Sequence, residues 1–210
     1  MSHLLVQSPK HCAKHGMNVD KLYKRLFYAI STFLISILSI LFLTWLILRP
    51  SKPHFFLQQT NVYQLNLSGP HLINSSIEAT LLSKNPNKKV GVLYDQIQAY
   101  ASYKGQQITL HSSIPPFYQP HEVTNTLSAL LMGSWVPVAP SFGYEVDRDQ
   151  VSGKLSLDLK LNGRLRWKVG SWVSGHYRFN VDCVAVMAFE SNMGFGPMSS
   201  TEGTQCSTSV

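Results

Sequence analysis

The sequence predicts a mainly β protein, in which a single N-terminal transmembrane helix precedes an antiparallel β-sandwich. Two observations predict this fold class. One is a run of 23 residues, from Leu26 to Leu48, that contains no charged residue, proline or glycine. The other is a period-two alternation of apolar and polar residues in the rest of the chain. About 150 residues follow the helix, which is enough for one domain with a core.

The run from Leu26 to Leu48 is long enough to cross a membrane. As a helix rising 1.5 Å per residue it spans roughly 34 Å, against a hydrocarbon core of about 30 Å. A buried helix of a soluble protein is the alternative, but such helices are rarely this long and apolar on every side. The exit, Leu48-Arg49-Pro50, lacks the small residues of a signal-peptidase site. We therefore expect the helix to remain as a signal anchor.

Basic residues flank this helix unequally. The first 25 residues carry five Lys or Arg residues and one acid, whereas only Arg49 and Lys52 follow the helix before the external part. Because positive charge favours the cytosolic side, the N-terminus should be cytosolic and residues 53–210 should lie outside. The expected domains are a basic tail at 1–25, the helix at 26–48, a linker at 49–56 and an external domain at 57–210.

The net charge of +7 belongs mainly to the membrane flank. Residues 1–52 contribute +6, and residues 53–210 contribute only +1. Lys and Arg beside an anionic inner leaflet each contribute about 1 kcal/mol to membrane association. Because the external part has no basic stripe, the distribution argues against nucleic-acid binding.

Five sets of alternating apolar residues predict strands in the external part. They are Ile77, Ala79 and Leu81; Val90, Val92 and Tyr94; Ile97, Ala99 and Ala101; Leu155, Leu157, Leu159 and Leu161; and Tyr177, Phe179, Val181 and Cys183. Short strands separated by turn signals are typical of an antiparallel sandwich.

Two turn signals predict hairpins. Lys104-Gly105 suits a two-residue loop, because the apolar residues on either side then share one face. The facing pairs would be Tyr103 with Gln106, Ala101 with Ile108, and Ala99 with Leu110. At Asn162-Gly163 a two-residue loop would send the flanking apolar rows to opposite faces. We expect a three-residue loop ending at Gly163 there, with that glycine at a bulge position that needs positive φ.

The three cysteines divide according to this topology. Cys12 should be cytosolic and reduced, whereas Cys183 and Cys206 share the oxidising side. Cys183 ends an alternating run, and Cys206 lies in a C-terminal segment that could return beside it. We predict a Cys183–Cys206 disulfide, with two separate thiols as the alternative. On the entropy model, closing a loop of about 22 residues contributes roughly 3 kcal/mol.

Asn66 and Asn74 begin two acceptor sequences for N-glycosylation, Asn66-Leu67-Ser68 and Asn74-Ser75-Ser76. Such sequences occur often by chance, but the external topology supports glycans on both asparagines.

The sequence shows no pattern of catalytic or metal-binding chemistry. It has no nucleotide-binding loop, HExxH zinc motif or GxSxG nucleophile motif, and the two external cysteines lack zinc-ligand spacing. Asp147 and Asp149 are too close in sequence to converge on one site, and they suit a solvated turn or the start of a helix. We expect no catalytic residue, no metal and no cofactor, and we predict that the protein is not an enzyme.

Three stretches resemble a known family. They are Asn85-Pro86-Asn87-Lys88-Lys89-Val90-Gly91-Val92-Leu93-Tyr94-Asp95; Pro115-Pro116-Phe117-Tyr118-Gln119; and Lys168 to Tyr177, leading to Cys183. In this order, behind an N-terminal anchor, they resemble the plant harpin-induced-like (NHL) family, whose external part is a late embryogenesis abundant type 2 domain. Where that family usually shows Tyr-Tyr-Asp, this chain has Leu93-Tyr94-Asp95.

The resemblance implies a sandwich of about seven strands, of immunoglobulin-like or fibronectin-like type, with one short helix. It also implies a plasma-membrane location, a part in plant responses to pathogens or stress, and no catalytic residues. Asn85, Pro86 and Asn87 suit a turn, because proline fixes its own φ and asparagine side chains cap local backbone groups. We expect these residues, with Tyr94 and Asp95, to be structural rather than ligand-binding.

Three functional hypotheses follow. The leading one is a non-enzymatic plasma-membrane protein of defence or stress responses that acts through unidentified protein partners of its sandwich. An exposed aromatic patch around Trp135, Phe142 and Tyr144 would favour it. The alternatives are a passive module of adhesion or protection between membrane and wall, and a lipid- or small-ligand-binding sandwich, which an apolar cleft between the sheets would favour. A polar face on the helix, formed by Thr32, Ser36 and Ser39, leaves a homo-oligomer open.

Overall fold

The structure, a computed structural model, describes residues 19–69, 71–188, 198–200 and 203–210. Cys12 and most of the basic tail lie outside these residues. The chain forms two units that meet between Arg49 and Pro50 in sequence. The first contains helix α1, Val19–Leu48, and the second contains thirteen described strands and helix α2, Phe142–Ser152. The strands are β1 (His54–Leu67), β2 (Leu72–Lys84), β3 (Gly91–Tyr103), β4 (Gln106–Gln107), β5 (Ser112–Ile114), β6 (Phe117–Gln119), β7 (Thr124–Pro137), β8 (Lys154–Val169), β9 (Trp172–Val173), β10 (Tyr177–Ala188), β11 (Met198–Ser200), β12 (Thr204–Gln205) and β13 (Ser207–Ser209).

Helix α1 is 30 residues long and begins seven residues before the uncharged run. Asp20 in its first turn complements the positive end of the helix dipole. The stretch Asp20–Leu46 is long and apolar enough to cross a membrane, and its side chains are exposed rather than buried as those of a soluble core helix would be. Length and composition therefore make α1 a candidate membrane anchor.

The second unit consists of two antiparallel sheets. One has the strand order β11-β1-β2-β7, with β12 also paired to β1. The other has the order β13-β10-β8-β3-β4, with β5 and β6 paired to β3 and β9 paired to β8. The prediction of a mainly β antiparallel sandwich behind an apolar helix is confirmed. Six long strands, β1, β2, β3, β7, β8 and β10, form most of it, and β1 begins at His54 inside the expected linker.

The core lies between the inward faces of the two sheets. Aromatic rings from both sheets meet at its centre, where the Phe55 and Phe179 ring centroids are 6.1 Å apart and those of Tyr94 and Phe179 are 5.6 Å apart. Phe117 stacks on the Tyr94 ring at 4.6 Å. Rows of leucine, isoleucine and valine extend the core on either side of these rings. The apolar residues of the alternating pattern in the sequence are therefore the side chains that face the core in each strand.

The hairpin expected at Asn162-Gly163 is wrong, because β8 runs unbroken from Lys154 to Val169. Gly163 lies in mid-strand, where an added Cβ would come 2.3 Å from the Gln96 carbonyl oxygen and 2.5 Å from the Phe179 ring. Glycine is required at this position because the neighbouring strands approach closely, and not because the chain turns there. The apolar rows on its two sides have the same parity, which a continuous strand satisfies without a loop.

Strand β3 joins two of the predicted apolar sets into one strand. Tyr94 and Ile97 are both buried although they are three positions apart, an odd number that alternation alone would place on opposite faces. The register of β3 against β8 shifts between Tyr94 and Gln96, which marks a β-bulge. A bulge inserts one extra residue and changes the parity that faces the core. Asp95, the extra residue, is half-buried at the sheet surface.

The Lys104-Gly105 loop forms as expected, and only its far end differs. Both residues have positive φ, at 47° and 81°, as a two-residue hairpin loop requires. The expected pairing of Ala99 with Leu110 is wrong, because Ala99 pairs with Ser112. Leu110 leaves the ladder and donates its backbone N–H to a carbonyl oxygen of β7 at 2.8 Å.

Periodicity alone does not predict α2, although the family resemblance implies one short helix. Phe142 and Val146 lie four residues apart and are its buried residues. The Phe142 ring meets that of Tyr103 edge-on, with centroids 5.3 Å apart. Gly153 ends the helix with φ +77°, and its N–H caps two carbonyl groups of the last turn.

Replacing Gly163 by alanine should destabilise the protein by about 1–3 kcal/mol, because the new methyl group overlaps a backbone oxygen of β3. Gly175→Ala is the matched control, since nothing lies within 4 Å of a Cβ added there. The control should change the free energy of unfolding by no more than about 0.5 kcal/mol. Urea unfolding of both variants measures this, and equal stabilities would contradict the close approach at Gly163.

Candidate functional site

The family-motif residues form a buried cluster of polar side chains. Asn85 is fully buried, and its Nδ2 donates to the carbonyl oxygens of Val90, at 2.8 Å, and Pro120, at 3.0 Å. Its Oδ1 accepts from the backbone N–H of Asn87, at 3.1 Å, and from the Asn87 side-chain Nδ2, at 2.8 Å. Asn85 thus closes the turn around Pro86 and joins it to the segment after β6.

Asn87 holds the chain that follows α1. Its Nδ2 donates to the Ser51 carbonyl oxygen at 2.8 Å, and its Oδ1 accepts from the Ser51 N–H at 2.7 Å. This side-chain amide therefore pairs with the Ser51 backbone in both directions, as a neighbouring strand would. The start of the expected linker is consequently part of the folded sandwich.

Gln119, for which the sequence analysis predicts no role, completes the same cluster from β6. The fully buried Gln119 donates from Nε2 to the carbonyl oxygens of Ser83, at 2.7 Å, and Val123, at 2.9 Å. Its Oε1 accepts from the Ser83 hydroxyl at 3.1 Å and from the Tyr94 hydroxyl at 3.3 Å. Burial raises the pKa of Tyr94, so its phenol stays protonated and can donate. We call Ser51, Ser83, Asn85, Asn87, Tyr94 and Gln119 the polar cluster.

The side chains of Ser83, Asn85, Asn87, Tyr94 and Gln119 all hydrogen-bond within the fold, and Ser51 joins the cluster through its backbone groups. Satisfied buried networks of this kind rigidify a core. The arrangement suits a structural role for the motif, because the amide groups of Asn85, Asn87 and Gln119 are all engaged within the fold rather than aimed at an open site.

A disulfide holds the C-terminal strand in place. Cys183 and Cys206 are bonded, with Cα atoms 4.4 Å apart. The strand that follows, β13, pairs with the start of β10. Its Thr208 carbonyl oxygen accepts a hydrogen bond from Lys52 Nζ at 2.7 Å. The first residues after Pro50 are thus held twice, by the polar cluster and by the disulfide-linked C-terminus.

Asp95 forms an ion pair at the surface of the second sheet. Arg166 Nε donates to both carboxylate oxygens, at 2.8 and 3.1 Å, and Arg166 Nη2 also donates to Oδ1. The hydrogen bonds to Asp95 raise the pKa of the Arg166 guanidinium. His176 Nε2 lies 3.5 Å from the same carboxylate.

These groups make no catalytic constellation. His176 is exposed, and within the described ranges no hydrogen bond joins it to a serine, threonine or cysteine that could act as a nucleophile. The structure also shows no group of three or more His, Cys, Asp or Glu side chains that could hold a metal, among the residues it describes. Asp149 of α2 accepts from Lys104 Nζ and from the Tyr103 hydroxyl, and these hydrogen bonds lower its pKa.

Comparison with known proteins shows the family. The sequence model of the family described as late embryogenesis abundant protein matches residues 80–184. NDR1/HIN1-like protein 26 of Arabidopsis thaliana is 53% identical over 213 residues, which cover 100% of both chains. The chain belongs to the NDR1/HIN1-like family. NDR1/HIN1-like protein 1 of the same plant is 41% identical over 96% of this chain and 100% of its own length.

The family resemblance inferred from the motifs is therefore confirmed. A protein of Arabidopsis thaliana whose structure was solved in solution is 14% identical, covers 70% of this chain and 87% of its own, and has a TM-score of 0.35. That likeness is too slight to carry any argument.

This NDR1/HIN1-like sandwich has a cavity of about 600 Å³ between α2 and the turn that joins β1 to β2. Its lining residues are Leu65, Asn66, Leu67, Ser68, Ile73, Phe142, Val146 and Asp147. The cavity lies beside α2 and is not the cleft between the sheets that the ligand-binding hypothesis expects.

The aromatic residues whose exposure would favour the leading hypothesis are only partly exposed. Trp135 and Tyr144 are 63% and 73% exposed, but Phe142 is 1% exposed because it packs on Tyr103. Phe142 therefore does not contribute to an exposed aromatic patch of the kind that would favour the leading hypothesis.

The two acceptor asparagines lie directly opposite each other on β1 and β2. Asn74 Nδ2, the atom that a glycan would modify, donates to the Ser68 hydroxyl at 2.9 Å. Asn74 Oδ1 accepts from the Trp135 N–H at 2.8 Å. Asn66 is exposed, and its side chain makes no hydrogen bond within the described part of the chain. The geometry therefore favours Asn66 over Asn74 as a glycan acceptor.

Replacing Asn85 by alanine should lower the free energy of unfolding by about 2–4 kcal/mol. The change leaves two carbonyl groups and the Asn87 amide without a buried partner. Asn125→Ala is the control, because Asn125 makes no side-chain hydrogen bond among the described residues of β7 and its neighbours. Denaturant unfolding measures both, and a cost below about 0.5 kcal/mol for Asn85→Ala would contradict a structural role for the motif.

The chain expressed in plant cells should carry one N-glycan, on Asn66. Asn66→Gln should abolish the mobility shift that peptide N-glycosidase produces on a gel. Ser76→Ala removes the other acceptor sequence without touching the hydrogen bonds of Asn74, and it should leave the shift unchanged. Glycans on both sites would contradict this assignment, and so would a shift that persists in Asn66→Gln.

Proposed function

We propose that this protein is a non-enzymatic, single-pass plasma-membrane protein that acts in plant stress and defence responses through binding by its external sandwich. Membership of the NDR1/HIN1-like family and the late embryogenesis abundant domain supports a role in plant stress and defence. The observation that favours a binding function over a catalytic one is the polar cluster. The buried side chains of Ser83, Asn85, Asn87, Tyr94 and Gln119 hydrogen-bond to one another or to the backbone, so their amide and hydroxyl groups are not free to act on a substrate.

The proposed topology rests on the chain around α1. Five basic residues before the apolar run and two after it support a cytosolic N-terminus. The Cys183–Cys206 disulfide supports an oxidising environment for the sandwich, since such bonds are rare in the cytosol.

Only Arg49 and Pro50 separate α1 from Ser51, which the polar cluster holds. A tether this short suits a domain that works at the membrane surface. A partner outside the cell is therefore the kind we propose. The proposed role does not require association of copies through the face of α1 that carries Thr32, Ser36 and Ser39.

A small apolar ligand is the second candidate, and the cavity beside α2 favours it. Its volume of about 600 Å³ lies within the range of small-molecule sites, roughly 300–1,000 Å³. Apolar side chains make up most of its walls, with Asp147 and two polar residues at the edge. Val146→Phe would fill this space from α2 and leave the outer sheet faces unchanged.

A complementation experiment tests the proposal. In a plant line that lacks the protein, the full chain should restore the stress response. A chain in which residues 26–48 are replaced by an unrelated apolar helix of equal length should do the same, because the helix serves as an anchor. A chain that lacks residues 1–48 should fail. Restoration by this anchor-less chain would contradict the proposal, and failure of Val146→Phe alone would favour the small-ligand function.

A further inference from the structure

The outer face of the second sheet carries a grid of six polar side chains with no acid among them. Gln96 and Gln98 come from β3, Asn162 and Arg164 from β8, and Arg178 and Asn180 from β10. With the backbone of Gly163 they line a shallow concavity of about 270 Å³. We call these six side chains the amide–arginine patch.

Strand register places the six side chains in two rows. Gln98, Asn162 and Asn180 are direct partners across the three strands, and so are Gln96, Arg164 and Arg178. The β-bulge at Asp95 produces the second row, because it shifts the register so that Gln96 opposes Arg164. None of the six side chains has a hydrogen-bond or ion-pair partner among the residues that the structure describes.

The two arginines are the unusual part of this patch. Arg164 and Arg178 are directly opposite each other on neighbouring strands, and like charges so placed destabilise a sheet. The cations on either side of them along the strands are neutralised, Arg166 by Asp95 and Lys160 by Asp182 at 3.7 Å. Arg164 and Arg178 have no such partner within the described ranges. An anion bound between them would remove the repulsion.

We propose that the amide–arginine patch binds an acidic oligosaccharide, with a uronate carboxylate held between Arg164 and Arg178. Guanidinium groups match the two oxygens of a carboxylate in a forked geometry. The four amide side chains can each donate and accept hydrogen bonds, which is the capacity that sugar hydroxyl groups match. This proposal names a ligand for the external binding role proposed above. It rests on that proposed function in one respect, namely that the sandwich lies outside the cell, where it would meet the ligand.

The shape and composition of the patch favour a sugar chain over other anions. Three strands spaced about 4.8 Å apart give an open face roughly 10 Å across, which suits an extended ligand. A simple carboxylate would leave the four amides unused. Nucleic acid fits poorly, because no aromatic side chain lines the patch for base stacking and only two cations are present.

The direct test measures binding by the full-length chain in nanodiscs of phosphatidylcholine, a lipid without net charge. The probe is an oligogalacturonate of about ten residues, with its methyl ester and a neutral glucose oligomer as controls. Calorimetry should show saturable binding of the acidic probe and at least tenfold weaker binding of both neutral probes. Equal binding of the methyl ester, or no binding of the acidic probe, would overturn the proposal.

Variants locate the site on the patch. Arg164→Gln and Arg178→Gln should each weaken binding about tenfold, because each loses a charge-assisted hydrogen bond. Lys154→Gln is the matched control: it removes one charge from an exposed side chain at the other end of β8, about 33 Å along the strand. It should change affinity less than twofold. An equal loss in Lys154→Gln would overturn the proposal by showing a diffuse charge effect.

A second readout keeps the test independent of folding failures. Because the arginines repel each other, either glutamine variant without ligand should melt at the same temperature as the unmodified protein or higher. A lower melting temperature for both would overturn the proposal by showing that the arginines stabilise the fold. The nanodisc measurement does not depend on which side of a cell membrane the sandwich occupies.

A chain that binds the acidic probe but does not restore the stress response would therefore count against the proposed function alone.

Discussion

The β-bulge at Asp95 is the constraint on which the rest of the sandwich depends. Because of this bulge, three consecutive residues of β3 make contacts in three different places. Tyr94 points inward, to the aromatic centre of the core and to the polar cluster. Asp95 stands at the outer surface and pairs with Arg166. The carbonyl oxygen of Gln96 approaches Gly163 of β8 so closely that a side chain at position 163 would clash with it.

Polar side chains are hydrogen-bonded on the inner side of the second sheet and unpaired in the amide–arginine patch on its outer face. Inside, the amide groups of Asn85, Asn87 and Gln119 are paired with backbone groups of four separate segments. Leaving any of them unpaired would cost more than its bond contributes, so the network specifies one arrangement of these segments. It also secures Ser51 and so brings the chain after α1 into the sandwich. Outside, the amide–arginine patch has the same kinds of groups without partners.

This contrast supports a binding role better than a catalytic one. Catalysis requires a nucleophile or base that a cleft holds within reach of a substrate, together with groups that shift its pKa. The largest pKa displacement among the described residues is that of Tyr94, and it results from burial inside a satisfied network. The unpaired polar groups of the amide–arginine patch lie on an open sheet surface, where they can recognise an extended ligand.

The sequence by itself determined the features that depend on local composition. A run of apolar residues makes α1 a candidate anchor whatever surrounds it, and alternation identifies most of the strands. Three motifs, Asn85–Asp95, Pro115–Gln119 and Lys168–Tyr177, indicate the family from the sequence. Only the tertiary structure decided whether β8 continues through Gly163, because alternation of fixed parity fits a three-residue loop as well as an unbroken strand. The core-facing positions change from even-numbered to odd-numbered residues at Asp95. This change is equally compatible with one strand that contains a bulge and with two separate strands. Asn87 bonds to Ser51 and Gln119 bonds to Ser83, 36 residues away in each case, and the strand neighbours of Arg164 are Gln96 and Arg178. Period-two alternation carries no information about which strands become neighbours.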